Sequence, residues 1–285
     1  LPDEDSVMVD FVTARMLHLE TLWSRFIESS DISALAQANG RAVPVADETI
    51  TLVEHLVNAS IATDGLFDPT ILPSLIAAGY SKSRVDDLVS ISIAPEFAGT
   101  VADIEIDARA NEITLPAGMS LDAGGLGKGL AADLVTQDLI DMGVQGASLS
   151  VGGDVALVGT PDDGENWVVN IGAPHNYEEV IASVRTRGGG VATSTLAART
   201  WDINGQHRHH VIDPRTRKPV AITPGSTLQA TVIAGSAAWA EAFATALTVC
   251  DPGTAANLVA RHNLAALLVL HDGSMRELGT WARFH

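Results

Sequence analysis

Apolar residues recur along positions 7–28 with helical spacing. Val12, Met16, Leu19, Trp23 and Phe26 follow at intervals of four, three, four and three, so a helix there would carry them on one buried stripe. A second helix is predicted from about 47 to 63, with Asp47 as its N-cap and Glu48 in the first turn, where the helix dipole favours a carboxylate. The stretch Gly65-Leu66-Phe67-Asp68-Pro69-Thr70 must leave the helical path, because a residue before proline avoids the α region. Short apolar runs then predict strands at 91–93, 104–106, 113–115, 147–151, 155–158, 167–171 and 181–186, separated by Gly, Pro and Asp turns. Residues 124–129 open a third helix bearing Leu130, Leu134, Leu139 and Met142, with Gly143 as its stop. A strand at 229–233 feeds a fourth helix, 236–249, and two more strands close the chain. Runs of strands with few helices between them predict the α+β class, with largely antiparallel sheets, a few packed helices and two intimately packed lobes. No repeat or low-complexity linker divides the sequence, so residues 1–285 are expected to form a single domain.

Composition narrows the function. The chain carries 35 acidic and 17 basic residues, a net charge of −18, and 46% of it is hydrophobic. That excludes disorder and argues against a nucleic-acid backbone or an anionic membrane as partner. No apolar run reaches the ~18 residues of a membrane span. The longest, 264–270, suits a buried strand. Cys250, the single cysteine, excludes a disulfide framework and fits a small buried hydrophobe. Neither a signal segment nor a lipid-anchor cysteine is visible, and the chain begins at Leu1, so the compartment stays open between cytoplasm and export. The basic residues are unevenly spread. Residues 185–218 hold seven of them against two acids, which predicts either a solvated loop or a local site for a small anion such as phosphate.

Three clusters carry candidate chemistry. The run Gly124-Gly125-Leu126-Gly127-Lys128-Gly129 fails the phosphate-loop pattern, because Asp122 stands where the first glycine belongs and Gly129 where a hydroxyl belongs. Its helix N-terminus and lysine still favour an anion, against a plain reading of close packing. His207, His209 and His210 would not converge on zinc from one strand, since His210 faces away from the other two. A histidine beside arginines suits a base instead. Glu241 and Thr245, four apart among alanines, share a helix face and suit a hard cation such as Mg²⁺.

Taken in order, these segments resemble the motifs of the ApbE family of FAD:protein FMN transferases. The resemblance is carried by Trp23-Ser24-Arg25-Phe26, residues 65–70, residues 122–129, Gly152-Gly153-Asp154, Ala192-Thr193-Ser194, His209-His210-Val211-Ile212-Asp213-Pro214-Arg215-Thr216 and Ala240-Glu241-Ala242-Phe243-Ala244-Thr245. It implies Mg²⁺-dependent transfer of FMN from FAD to a Thr or Ser hydroxyl of a target flavoprotein, with release of AMP. The alternatives are an FAD pyrophosphatase giving FMN and AMP, or a catalytically weak FAD binder. The resemblance further implies Phe26, Leu66, Phe67, Asp68, Asp122, Lys128 and Val211 as FAD contacts. It gives the Gly125 carbonyl, Glu241 and Thr245 as metal ligands, with His210 as base, Lys128 on the phosphates, and Asp213 either orienting the histidine or anchoring the turn at Pro214. Glu241 replaces the family's aspartate, Thr195 its glycine after Thr-Ser, and Phe26 its tyrosine, while the family's N-terminal Met-Gly-Thr strand is not found.

Overall fold

In the computed structural model, residues 4–80, 99–203 and 206–284 are described. The helices are α1 (Glu4–Trp23), α2 (Asp31–Gln37), α3 (Asp47–Ala62), α4 (Leu72–Ala77), α5 (Gly127–Asp141), α6 (Ala237–Val249) and α7 (Pro252–Arg261). The first strands are β1 (Ala42–Pro44), β2 (Glu105–Asp107), β3 (Glu112–Thr114), β4 (Gly146–Val151), β5 (Asp154–Gly159), β6 (Trp167–Ala173) and β7 (Asn176–Thr186). They are followed by β8 (Gly189–Thr195), β9 (Thr200–Ile203), β10 (Gln206–His209), β11 (Ile212–Asp213), β12 (Lys218–Pro219), β13 (Thr227–Ala234), β14 (Ala265–Leu270) and β15 (Met275–Gly279). The class is the expected α+β, with antiparallel pairing throughout the described sheets.

A six-stranded sheet in the order β15-β14-β13-β8-β5-β4 forms the centre. Its alternating side chains separate two cores, as a period of two dictates. Ala266, Leu268, Ala230, Val232 and Ala192 face the helices, whereas Ala265, Leu267, Ile233 and Val191 face the β6–β7 hairpin and Trp281. The helix-side core continues without a break into the small sheet β1-β3-β2 through Val45, Ile113 and Leu115, which joins the two lobes. Alanines along α6 keep it close to the sheet and to α5. Gly129 is needed at that crossing, because a Cβ there would lie 2.4 Å from the Ala237 carbonyl oxygen. Asp133 of α5 reinforces the crossing by accepting the Ala237 and Ala238 amides at 2.8 Å each, two of the donors an α-helix leaves open at its N-terminus.

Several boundaries differ from expectation for local reasons. Helix α1 ends at Trp23, not near 28, so Phe26 lies in the following turn. The Ser24 hydroxyl accepts the Phe26 amide at 3.4 Å while its carbonyl accepts Ser30 Oγ and the Ile27 amide. Ala46, not Asp47, is the N-cap of α3, because the Asp31 carboxylate takes the Ala46 amide and the Thr49 hydroxyl from 15 and 18 residues away. Helices α2, α4 and α7 and strands β1, β8, β9, β11 and β12 are additional to the predicted elements. The strand expected at 91–93 lies outside the described residues. Cys250 is buried as expected, and burial pushes its thiol up to about 12. Among the described residues no helix is long and apolar enough to cross a membrane.

Candidate active site

A cavity of about 930 Å³ opens between α1, the 65–70 turn, the start of α5, the β6–β7 hairpin and α6. Phe26, Leu66, Phe67, Asp68, Asp122, Gly125, Lys128, His210, Val211, Glu241 and Thr245 all line it, so eleven expected site residues converge from segments more than 200 positions apart. Asp213 does not. Its carboxylate holds Arg215 through two contacts of 2.9 Å and accepts the Arg215 amide. Burial works to raise its pKa, but those bonds win and hold it low. Of the two roles expected for Asp213, the structure gives it the turn; it does not orient His210.

The innermost feature is an ion cluster. Lys128 Nζ bonds to both Asp154 and Glu241, whose side chains are 4% and 5% exposed. Glu241 Oε2 also accepts the Gly129 amide at 2.8 Å, and Asp154 Oδ1 accepts the Thr193 amide at 3.2 Å. Burial first, and repulsion from Asp154 second, push the Glu241 carboxyl up against the pull of Lys128. Burial works against the charge of Lys128, but the two carboxylates outweigh it and hold the ammonium. One cation thus faces two buried carboxylates, and the cluster has room for further positive charge. Thr245 lies one turn along α6, and a Cβ on Gly125 would sit 3.5 Å from its Oγ1. These oxygens and the excess negative charge fit a hard divalent ion. Gly152 forms the wall beside Lys128; its φ of +64° and the 3.4 Å left between a Cβ and Lys128 Cδ both favour glycine.

The second feature is a set of unpaired polar atoms. Among the described residues seven buried side-chain atoms have no hydrogen-bond partner, and four belong to residues lining this cavity: Trp23 Nε1, His210 Nδ1 and Gln229 Oε1, and Arg25 Nη1, which still has the Asp122 carboxylate at 3.3 Å as an ion-pair partner. Buried polar groups are rarely left so, and their concentration marks a surface shaped for a polar ligand. Burial first, then Arg199 and His209, push the His210 imidazole down to about 3, so it is neutral at pH 7. The His209 ring is engaged by its own surroundings, meeting the Val220 carbonyl at 3.0 Å and the Val211 amide at 3.3 Å.

Of the two readings of the basic window, a solvated loop or a local anion site, most of its arginines fit the first. Arg185 and Arg187 are exposed on and just beyond β7, and Arg215 is tied to Asp213. Arg217 holds Asp68 from behind at 3.3 Å. Only Arg199 of that window lines the cavity. Arg25 comes from outside the window, 3.3 Å from Asp122 and stacked over the rings of Phe26 and Tyr80.

The ApbE family profile matches residues 5–268. The chain belongs to the ApbE family. It is similar to the FAD:protein FMN transferase of Salmonella typhimurium, 27% identical over 81% of this chain and 67% of that protein. With the protein of the same name from Rhodobacter capsulatus it shares 29% identity over 84% of this chain, which spans 46% of that protein's length. Its fold superimposes on the ApbE protein of Thermotoga maritima with a TM-score of 0.86 at 23% identity, covering 99% of this chain and 92% of the other. Within this ApbE fold, Tyr80, Asp154, Tyr177, Arg199 and Gln229 join the cavity without having been singled out as site residues in the sequence. Asp154 had a signal in Gly152-Gly153-Asp154; Gln229 is one polar residue in an otherwise ordinary strand.

Proposed function

We propose that the protein cleaves FAD at its pyrophosphate and passes the FMN half to a Thr or Ser hydroxyl of a target flavoprotein, releasing AMP. The hydroxyl oxygen bonds to the FMN phosphorus, the phosphorus–oxygen bond to AMP breaks, and the hydroxyl proton leaves to a base. The observation that carries this reading is the Lys128–Asp154–Glu241 cluster set in the cavity wall, with Thr245 and Gly125 adjacent. Family membership and the names of the relatives support the reaction class.

Glu241, Thr245 and the Gly125 carbonyl would hold Mg²⁺, which supplies neutralisation of the pyrophosphate charge. Lys128, fixed by Asp154, adds a second positive charge at the same wall. Arg199 and Arg25 also line the cavity and add positive charge to it, Arg25 while paired with Asp122. His210 offers a buried, unpaired Nδ1 as proton acceptor. With its pKa near 3 it is a weak base, and the pyrophosphate's negative charge beside it would raise its proton affinity on binding. A loose phosphoryl transition state asks for little more than this positioning and charge.

Incubation with FAD and Mg²⁺, with and without an acceptor flavoprotein, tests the reading. AMP release together with an acceptor that stays fluorescent on a denaturing gel is expected. AMP with free FMN and no labelled acceptor would make the protein an FAD pyrophosphatase, and absence of both products would overturn the reading.

A further inference from the structure

Gln229 sits on β13 at the wall of the cavity and is 1% exposed. Its Nε2 donates to the Gly172 carbonyl at 2.9 Å, which fixes the amide's orientation, because only the NH₂ end can meet a carbonyl. Oε1 is left buried with no donor. An acceptor in that state costs the free protein the full desolvation of the group, and any ligand that supplies a donor recovers it. Ile171 and Tyr177, from β6 and β7, line the cavity as well and give it an apolar wall that suits a flat heterocycle. Lys128 and Glu241 claim the phosphate end, and phosphate has no donor to give.

We propose that Gln229 is a specificity-determining residue whose Oε1 accepts a hydrogen bond from a ring-edge N–H of the bound nucleotide. The inference rests on the FAD reading above. FAD offers such a donor twice, as the imide of the flavin and the amine of adenine. Both present the same chemistry to Gln229, and the two halves can be tested apart.

The test is calorimetric titration of the whole chain with FMN and with AMP, in wild type and in Gln229→Met, so that no turnover is needed. The variant is expected to weaken one half about tenfold and leave the other within about twofold. The half that weakens names the ring. Its N-alkylated form, N3-methyl-FMN or N6,N6-dimethyl-AMP, should bind wild type about tenfold more weakly than the parent, and that difference should vanish in Gln229→Met. Equal losses for both halves would show a merely structural role through Gly172, and unchanged affinities would show that Oε1 makes no ligand contact; either overturns the proposal. Should the variant fail to fold, a wild type indifferent to alkylation of both ligands overturns it as well. A wild type that binds neither half would overturn the FAD reading itself, which separates the two failures.

Discussion

Replacing Lys128 by Met keeps the length of the side chain and removes the cation that faces two carboxylates. Breaking a buried ion pair from one side costs about 3–5 kcal/mol. Here the loss has a ceiling, because Glu241 can take up a proton. Unfolded, Glu241 titrates at its ordinary 4.5. Holding it neutral costs about 3.5 kcal/mol at pH 7 and about 2 kcal/mol at pH 6, at 1.36 kcal/mol for each pH unit. Wild type already bears part of this, because burial and Asp154 raise the carboxyl there too, so these figures are upper bounds on what Glu241 adds to the Lys128→Met penalty. The sign follows from proton counting: the folded variant keeps a proton that the unfolded chain has lost above pH 4.5, so the penalty grows as pH rises. Glu241→Gln added to Lys128→Met removes the need for that proton and should recover part of the loss, the rest remaining with Asp154, whose buried carboxylate has also lost its cation. Urea unfolding followed by tryptophan fluorescence, at pH 6 and pH 7, measures all four corners of the cycle. A coupling above about 0.5 kcal/mol is expected, with the Lys128→Met penalty smaller at pH 6. Additivity within about 0.5 kcal/mol, or a pH-independent penalty, would refute the buried cluster.

Other outcomes follow from single residues. His210 is ordinary in the unfolded chain and depressed to about 3 when folded, so its contribution is whole above pH 6.5 and is lost as pH falls towards 3. Between pH 6.5 and 5 wild type should lose about 2 kcal/mol more than His210→Gln in paired denaturant titrations; parallel curves would contradict a buried neutral imidazole. Gly152→Ala places a Cβ at φ +64° and against Lys128, and should cost about 1–2 kcal/mol in unfolding free energy together with slower AMP release; unchanged stability would count against the turn geometry. Asp213→Asn weakens the grip on Arg215 and should lower the melting temperature while leaving the pH profile of AMP release unchanged. A shifted profile would restore Asp213 as a partner of His210.

What was legible in the sequence was local. Helix α6, the Gly143 stop of α5 and the alternation of the sheet strands follow from residues that are neighbours in the chain. Helix α7 carried a comparable signal that passed unused: Pro252 in its first turn and Asp251 accepting the Gly253 and Thr254 amides. The end of α1 and the cap of α3 depend on Ser30 and Asp31, which reach back or across from other segments, so periodicity alone misplaced them. The site residues came from the family resemblance carried by motifs in order, and the cavity gathers all of them but Asp213. The basic window misled because charge along a chain does not say which way a side chain faces: Arg185 and Arg187 point to solvent, while Arg25 and Lys128 arrive from elsewhere. Gln229 could not be found from sequence, since what distinguishes it is a side-chain oxygen left unpaired while its Nε2 donates to the Gly172 carbonyl of β6, 57 residues away.

The most direct test of the account is the intact mass of an acceptor flavoprotein after incubation with this protein, FAD and Mg²⁺. The account predicts a gain equal to FMN less one water, on a Thr or Ser, that disappears when Lys128→Ala replaces wild type or when the metal is chelated. An acceptor whose mass is unchanged while FAD is consumed, or a gain that survives Lys128→Ala, would contradict it.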